Sequence, residues 1–199
     1  MNKLGKRLIK TGILLIIVSL ALITHNNYEE INAGKKSKLA LEEIKNNIIE
    51  EDNNIDKTTI SNPTNKTETT NVNGHDYIGT ITIPTLNLEL PIMSEYDYDK
   101  LKISPCRYYG NIHTNDLIIC AHSYKTHFKY LNKLKQKDLV IITDINGNNY
   151  IYEVVTIEVL KPNQVSEMIN NDYDLTLYTC TNDGQNRITV RCNRIKDLA

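Results

Sequence analysis

The stretch LVIITDINGNNYIYEVVTIEVL, residues 139–160, sets two β-branched runs on either side of Asn146-Gly147. Asn-Gly favours a tight hairpin turn because both residues tolerate positive φ. The flanking runs, 139–143 and 150–160, are rich in Val, Ile, Thr and Tyr, which suit a pleated, half-buried surface better than a helix. The same texture recurs at 78–83, 86–93, 117–121, 175–180 and 188–193, each run bounded by turn residues. Seven such strands within about 120 residues predict a mostly β barrel or sandwich. Helical spacing is brief, around 98–101 and 128–134, and no internal repeat is visible.

N-terminal to residue 76 the texture changes. Lys3, Lys6, Arg7 and Lys10 precede an apolar run that ends at Thr24, close to the ~17-residue minimum for a membrane-spanning helix. No small-x-small cleavage site precedes His25, so the reading is an uncleaved transmembrane signal anchor at 1–25, not a removed signal peptide. Basic residues before the span and Glu29 and Glu30 after it predict a cytoplasmic N-terminus and an exported remainder. From 37 to 51, Leu39, Leu41, Ile44, Ile48 and Ile49 recur at helical spacing and predict a short stalk helix. Residues 52–75 carry almost nothing apolar and read as a flexible linker. The expected division is therefore 1–25 tail and anchor, 26–75 stalk and linker, and 76–199 the folded domain, with residues 26–75 adding little to its core.

Charge and cysteine usage narrow the chemistry. Lys and Arg number 23 against 24 Asp and Glu, which leaves no basic footprint for nucleic acid. Tyr is abundant at 12 residues against one Phe, a bias attributed here to an AT-rich genome. Cys106, Cys120, Cys180 and Cys192 lie too far apart for a CxxC metal knuckle and are too few for a disulfide scaffold. Cys180 closes the run Asp174-Leu-Thr-Leu-Tyr-Thr-Cys180, and after the turn 181–186 a return strand opens at Arg187. A strand end holds a side chain on a scaffold while leaving it open to solvent. A guanidinium there offers a rigid donor fork for a carbonyl or oxyanion. Taken alone, the pair reads more readily as a buried cysteine and a surface arginine. A thiol nucleophile needs a proton partner. His25 and His75 fall in the stalk and linker, and His113 and His127 in polar loops. His122 directly follows the apolar strand Leu117-Ile-Ile-Cys-Ala121, although an isolated histidine there is as readily structural.

Taken together, these segments resemble the sortases, cysteine transpeptidases of Gram-positive cell surfaces. Leu177-Tyr-Thr-Cys180 with Arg187 resembles the family's TLxTC…R signature, and Ile119-Cys-Ala-His122 its histidine segment. The stretch from His127 to Asp138 is similar to an F-x-x-L-x-x-L-x-x-G-D helix, and Tyr77-Ile-Gly-Thr-Ile-Thr-Ile-Pro to the opening strands. Lys137 stands where that helix motif has Gly, and Cys192 where many members have Ala. Neither falls on the proposed trio.

The resemblance implies an eight-stranded β-barrel with short helices behind an N-terminal transmembrane helix. Cys180 is then the nucleophile, His122 the acid and base, Arg187 the oxyanion partner, and Thr179 an aid to substrate binding. It also implies no metal or organic cofactor. The expected partners are surface proteins bearing an LPxTG-like C-terminal sorting signal, an amine of a peptidoglycan precursor, and the membrane through the anchor. The short segment 161–173 argues against a class B insertion, and no aromatic lid motif of class C precedes residue 76, so a class D-like or unassigned member is expected. Two alternatives stand beside this reading: a hydrolytic cysteine protease on the same site, and an inactive membrane-tethered binding module.

Overall fold

A computed structural model of the chain describes residues 3–54 and 68–195. The stretch 55–67 of the expected linker lies outside them. Helix α1 (Lys3–Asn54) is followed by strands β1 (Thr70–Val72), β2 (His75–Ile83) and β3 (Leu88–Met93), helix α2 (Tyr98–Leu101), and strands β4 (Cys106–Tyr109) and β5 (Leu117–Cys120). Strands β6 (Leu139–Asp144) and β7 (Asn149–Leu160), helix α3 (Val165–Ile169), and strands β8 (Leu175–Cys180) and β9 (Arg187–Arg194) complete it.

Eight strands close into a barrel in the order β2-β3-β4-β5-β8-β9-β7-β6, with β6 pairing back onto β2, as expected from the resemblance. Strand β1 adds a short antiparallel flap to β2 outside the ring. Closure is tight at Gly79, which sits at φ +141; a Cβ there would lie 2.0 Å from the Thr143 carbonyl oxygen, so only glycine lets β2 reach β6. The quoted hairpin is β6–β7, paired from Leu139↔Glu153 to Thr143↔Asn149. Asp144 organises its turn: its carboxylate accepts from the Asn146 and Asn148 amides, the Asn148 side chain and the Tyr150 hydroxyl.

Period-two alternation lets several strands serve two cores. Leu117, Ile119 and Ala121, Leu175 and Leu177, and Val190 and Cys192 fill the barrel interior with Phe128 and Leu131. The other face of β5 and β4 carries Cys120 and Cys106, which join Tyr77, Met93 and Leu101 in a second core outside the barrel. That core is capped by α1. The helix is therefore not a free stalk: Ala33, Ser37, Ala40 and Ile44 are buried against the barrel, and Ile48 is half-buried beside them. The large residues marked for an amphipathic face include Leu39 and Ile49, which are exposed. Small residues define the true contact face, because they let the helix backbone approach the sheet. A fully buried Ile44 side chain alone contributes about 1.5–3 kcal/mol.

The strand pattern missed β1 and β4. Each is three or four residues long, and β4 reads Cys-Arg-Tyr-Tyr, with no β-branched residue to mark it. The stretch 128–134 is a run of turns with a single 3-10 turn at Leu131–Lys133, not an α-helix.

Candidate active site

Three strand ends meet at one rim of the barrel. Strands β8 and β9 are antiparallel neighbours, and Cys180 pairs in register with Arg187. On the other side of β8, β5 runs parallel with Cys120 opposite Tyr178. The ladder continues beyond β5: the Ala121 amide donates to the Tyr178 carbonyl at 3.2 Å, and the Thr179 hydroxyl donates to the Ala121 carbonyl at 2.8 Å. His122 and Cys180 are the next residues on the two chains, and both fall on the outer face by alternation. Neighbouring strands lie about 5 Å apart. Cys180 and Arg187 are thus direct cross-strand partners, and His122 follows the end of β5, the strand on the other side of β8, although 58 residues separate it from Cys180 in the sequence.

Burial separates the four cysteines. Cys106, Cys120 and Cys192 are buried, and burial pushes each thiol up to about 12; Cys180 alone is partly exposed. His122 lies between two aromatic rings, Tyr124 at 4.8 Å and Tyr98 edge-on at 5.7 Å. Burial between them holds its pKa below the ordinary histidine value; Lys102 acts in the same direction and Glu29 opposes. Its Nε2 is buried without a hydrogen-bond partner. An orphaned buried nitrogen is a costly feature, and it suits a group that finds its partner only when a ligand arrives. Arg187 Nη1 donates to the Asn186 carbonyl at 3.1 Å and the Gly184 carbonyl at 3.4 Å, which ties the guanidinium to the β8–β9 turn.

Beside Arg187 opens a cavity of about 180 Å³ between Tyr96, Tyr108 and Tyr178 on one side and Lys161, Val165 and Met168 on the other. The tyrosines form an edge-to-face chain, with Tyr96–Tyr108 centroids at 5.6 Å and Tyr108–Tyr178 at 5.4 Å. Its opposite wall is fixed from beneath by Arg191, which is buried and binds the Glu158 carboxylate, the Thr176 hydroxyl and the carbonyls of Glu167 and Met168. The cavity therefore joins aromatic and apolar surface to the side chain of Arg187, the residue paired with Cys180.

The Thr179 side chain is buried, and its hydroxyl is engaged with the Ala121 carbonyl. The tyrosines that frame the site were missed, although their signal was present in a composition of 12 Tyr to one Phe. Tyr96, Tyr108 and Tyr178 line the cavity, and Tyr98 and Tyr124 flank His122.

The family model described as "Sortase domain" matches residues 81–195. Sortase C1 from Streptococcus suis is similar at 28% identity and a TM-score of 0.54, over 63% of this chain and 76% of that one. The Clostridium perfringens sortase D5 transpeptidase superimposes with a TM-score of 0.60 at 22% identity, over 81% of this chain and 99% of that one. Sortase C1 of GBS Pilus Island 1 is 25% identical with a TM-score of 0.53, over 61% of this chain, and the chain spans 66% of its length. No curated protein matches the chain. With more than half of its residues matched by the family model, and with the closed eight-stranded barrel in place, the chain belongs to the sortase family.

Proposed function

We propose that the chain is a membrane-anchored cysteine transpeptidase that cleaves an LPxTG-like C-terminal sorting signal and passes the acyl group to an amine of the cell wall or its precursor. The observation that supports this reading is the pairing of Cys180 with Arg187 across β8 and β9, with His122 just beyond the end of β5 on the other side of β8. In the first half-reaction Cys180 passes its proton to His122, and its sulfur attacks the scissile carbonyl of the signal's Thr. Arg187 donors stabilise the oxyanion, and His122 protonates the leaving amine as the C–N bond breaks. In the second, His122 takes a proton from the incoming amine, whose nitrogen attacks the thioester and expels the Cys180 thiolate. Thr179 serves here as a positioning residue, since its hydroxyl holds the two strands in register. The scheme uses no metal or organic cofactor.

The N-terminal helix is long and apolar enough to cross a membrane, a property a signal sequence shares. In this reading it is a single-pass anchor at 1–25 with a cytoplasmic N-terminus, and the catalytic domain at 76–199 lies outside the cell. The intervening 26–75 includes the part of α1 that packs on the barrel, so anchor and domain act as one unit. A class D-like assignment is supported by the segment between β7 and β8, whose one helix, α3, has five residues.

The test uses the full chain in lipid nanodiscs with a panel of quenched sorting peptides, with and without an added amine, and mass spectrometry of the products. Amine-dependent ligation that Cys180→Ala, His122→Ala and Arg187→Ala each abolish or lower by ~10²-fold or more supports the assignment. Cleavage indifferent to amine points to a hydrolase. Absence of any turnover or thiol-dependent acylation points to a binding module.

A further inference from the structure

His122 stands at the start of a loop with few bonds of its own. Within 122–129 the backbone closes three turns: the Phe128 amide donates to the His122 carbonyl, and the His127 and Lys129 amides donate to the Tyr124 carbonyl. The amide of Lys125 finds its partner on another element. It donates at 2.7 Å to a carboxylate oxygen of Glu30, on the first turns of α1 beyond the apolar stretch.

One helical turn on, α1 presses against the next residue of the loop. A Cβ at Gly34 would lie 2.8 Å from Thr126 Cγ2, so the helix meets the loop as closely as a glycine allows. A further turn on, the buried hydroxyls of Ser37 and Ser104 lie 3.3 Å apart and secure the helix to the segment following α2. Between the Glu30 contact and His122 stands Tyr124, whose ring covers the imidazole at 4.8 Å. A carboxylate accepting from a backbone amide makes a short, charge-assisted bond, and it fixes the peptide next to the residue that shields His122.

We propose that Glu30 of the membrane-proximal helix is a positioning residue for catalysis: its carboxylate holds the Lys125 amide, and through Tyr124 it sets the orientation and solvent shielding of His122. The inference rests on the reading of His122 as the proton-transfer group. Its consequence is that the anchor does more than tether the domain, because the same helix that leaves the membrane braces the catalytic histidine. The charged and titratable groups around the imidazole are Lys102 and Tyr98 from the α2 region, Tyr124 and His127 from its own loop, and Glu29 from α1, with Cys180 of β8 and Arg187 of β9 at the same rim. Loosening the loop admits water to a histidine held low by burial, so its pKa moves up toward the ordinary ~6.5.

The test compares Glu30→Ala, Glu30→Gln and Lys45→Ala in the full chain in nanodiscs. Lys45 pairs with Glu89 at 2.7 Å further along the same helix–barrel contact, and it controls for mere loss of docking. Misplacing a catalytic group lowers turnover steeply, so Glu30→Ala should lower kcat roughly tenfold with KM within about twofold. NMR titration of the His122 Cε1–H should show its pKa raised in the same variant. Glu30→Gln, whose amide oxygen still accepts from Lys125, should restore most of kcat, and Lys45→Ala should leave kcat unchanged. A Glu30→Ala protein with wild-type kcat and an unmoved His122 titration overturns the proposal, as does an equal loss of kcat in Lys45→Ala. A wild-type chain with no turnover at all fails the functional reading instead, and the His122 titration then still decides whether Glu30 positions the imidazole.

Discussion

The hydroxyl of Thr179 reaches 2.8 Å to the carbonyl of Ala121, so the residue before Cys180 is bonded to the residue before His122. Thr179→Val keeps the β-branched shape and removes the donor, which leaves a buried carbonyl with one partner fewer. The expected cost is ~1–3 kcal/mol of stability, together with a fall in kcat at nearly constant KM, because the register of the two strand ends loosens while the peptide cavity is untouched. Steady-state kinetics decide it: a raised KM with unchanged kcat would return Thr179 to direct substrate contact.

Thiol reactivity should be confined to one site. Attack requires the thiolate, and burial pushes Cys106, Cys120 and Cys192 up to about 12, so they remain protonated and enclosed at neutral pH. Iodoacetamide at pH 7.5 should alkylate Cys180 alone in the folded protein, and all four cysteines after denaturation. Peptide mass spectrometry reads the positions, and fast labelling of a second cysteine in the native state would contradict the burial argument.

Lys137 occupies a left-handed conformation, φ +74, at the position where the family motif has glycine. The strain is retained because the Lys137 amide donates to the Val154 carbonyl, while Asp138 accepts from the Lys135 amide and the Thr85 hydroxyl. A left-handed L-residue costs ~1–2 kcal/mol, and glycine's extra freedom when unfolded returns ~0.4–1 kcal/mol of that. Lys137→Gly should therefore stabilise by ~0.5–1 kcal/mol, raising Tm by ~2–3 °C with no change in turnover. A lowered Tm in calorimetry would show that the lysine side chain does more than fill the position.

Acid should destabilise the fold through His127. It is buried, and its pKa falls to about 4, from burial first and the neighbouring His122 second, against a smaller opposing contribution from the Ile103 backbone. The unfolded chain then binds the proton more readily, near 6.5. Stability from this residue is complete above ~6.5 and is lost as pH falls toward 4, by roughly 3 kcal/mol in all. His122 adds a contribution of the same sign. Urea midpoints at pH 7 and pH 4.5 should converge in His127→Leu relative to wild type; an unchanged pH dependence would exclude His127 as the acid-sensitive group.

The barrel was readable because its long strands are β-branched runs bounded by turn residues and its sharpest turn carries Asn-Gly, and the candidate residues stood out because Cys180 closes such a strand, Arg187 opens one and His122 follows one. What escaped was short or depended on tertiary shape. Strand β4 lacks β-branched residues, and the left-handed Lys137 shows only as a missing glycine. On the contact face of α1, Ile44 and Ile48 showed in the helical spacing, whereas Ala33, Ser37 and Ala40 did not, because their value is the close approach they permit and not the area they bury. The tyrosine frame was visible as composition, but only the pairing of β4, β5 and β8 shows that Tyr108 and Tyr178 belong to one surface.

The parallel pairing of β5 with β8 also sets a schedule. Between the two strands the chain must complete the β6–β7 hairpin, and Arg187 arrives only with β9, the last strand. A chain emerging N-terminus first would therefore carry its histidine long before it possesses a nucleophile, and an oxyanion partner last of all. Non-local pairings of this kind form late because loop closure precedes any gain from contact. In the proposed scheme an unfinished chain therefore lacks the assembled site, and turnover begins only once β9 has closed the barrel.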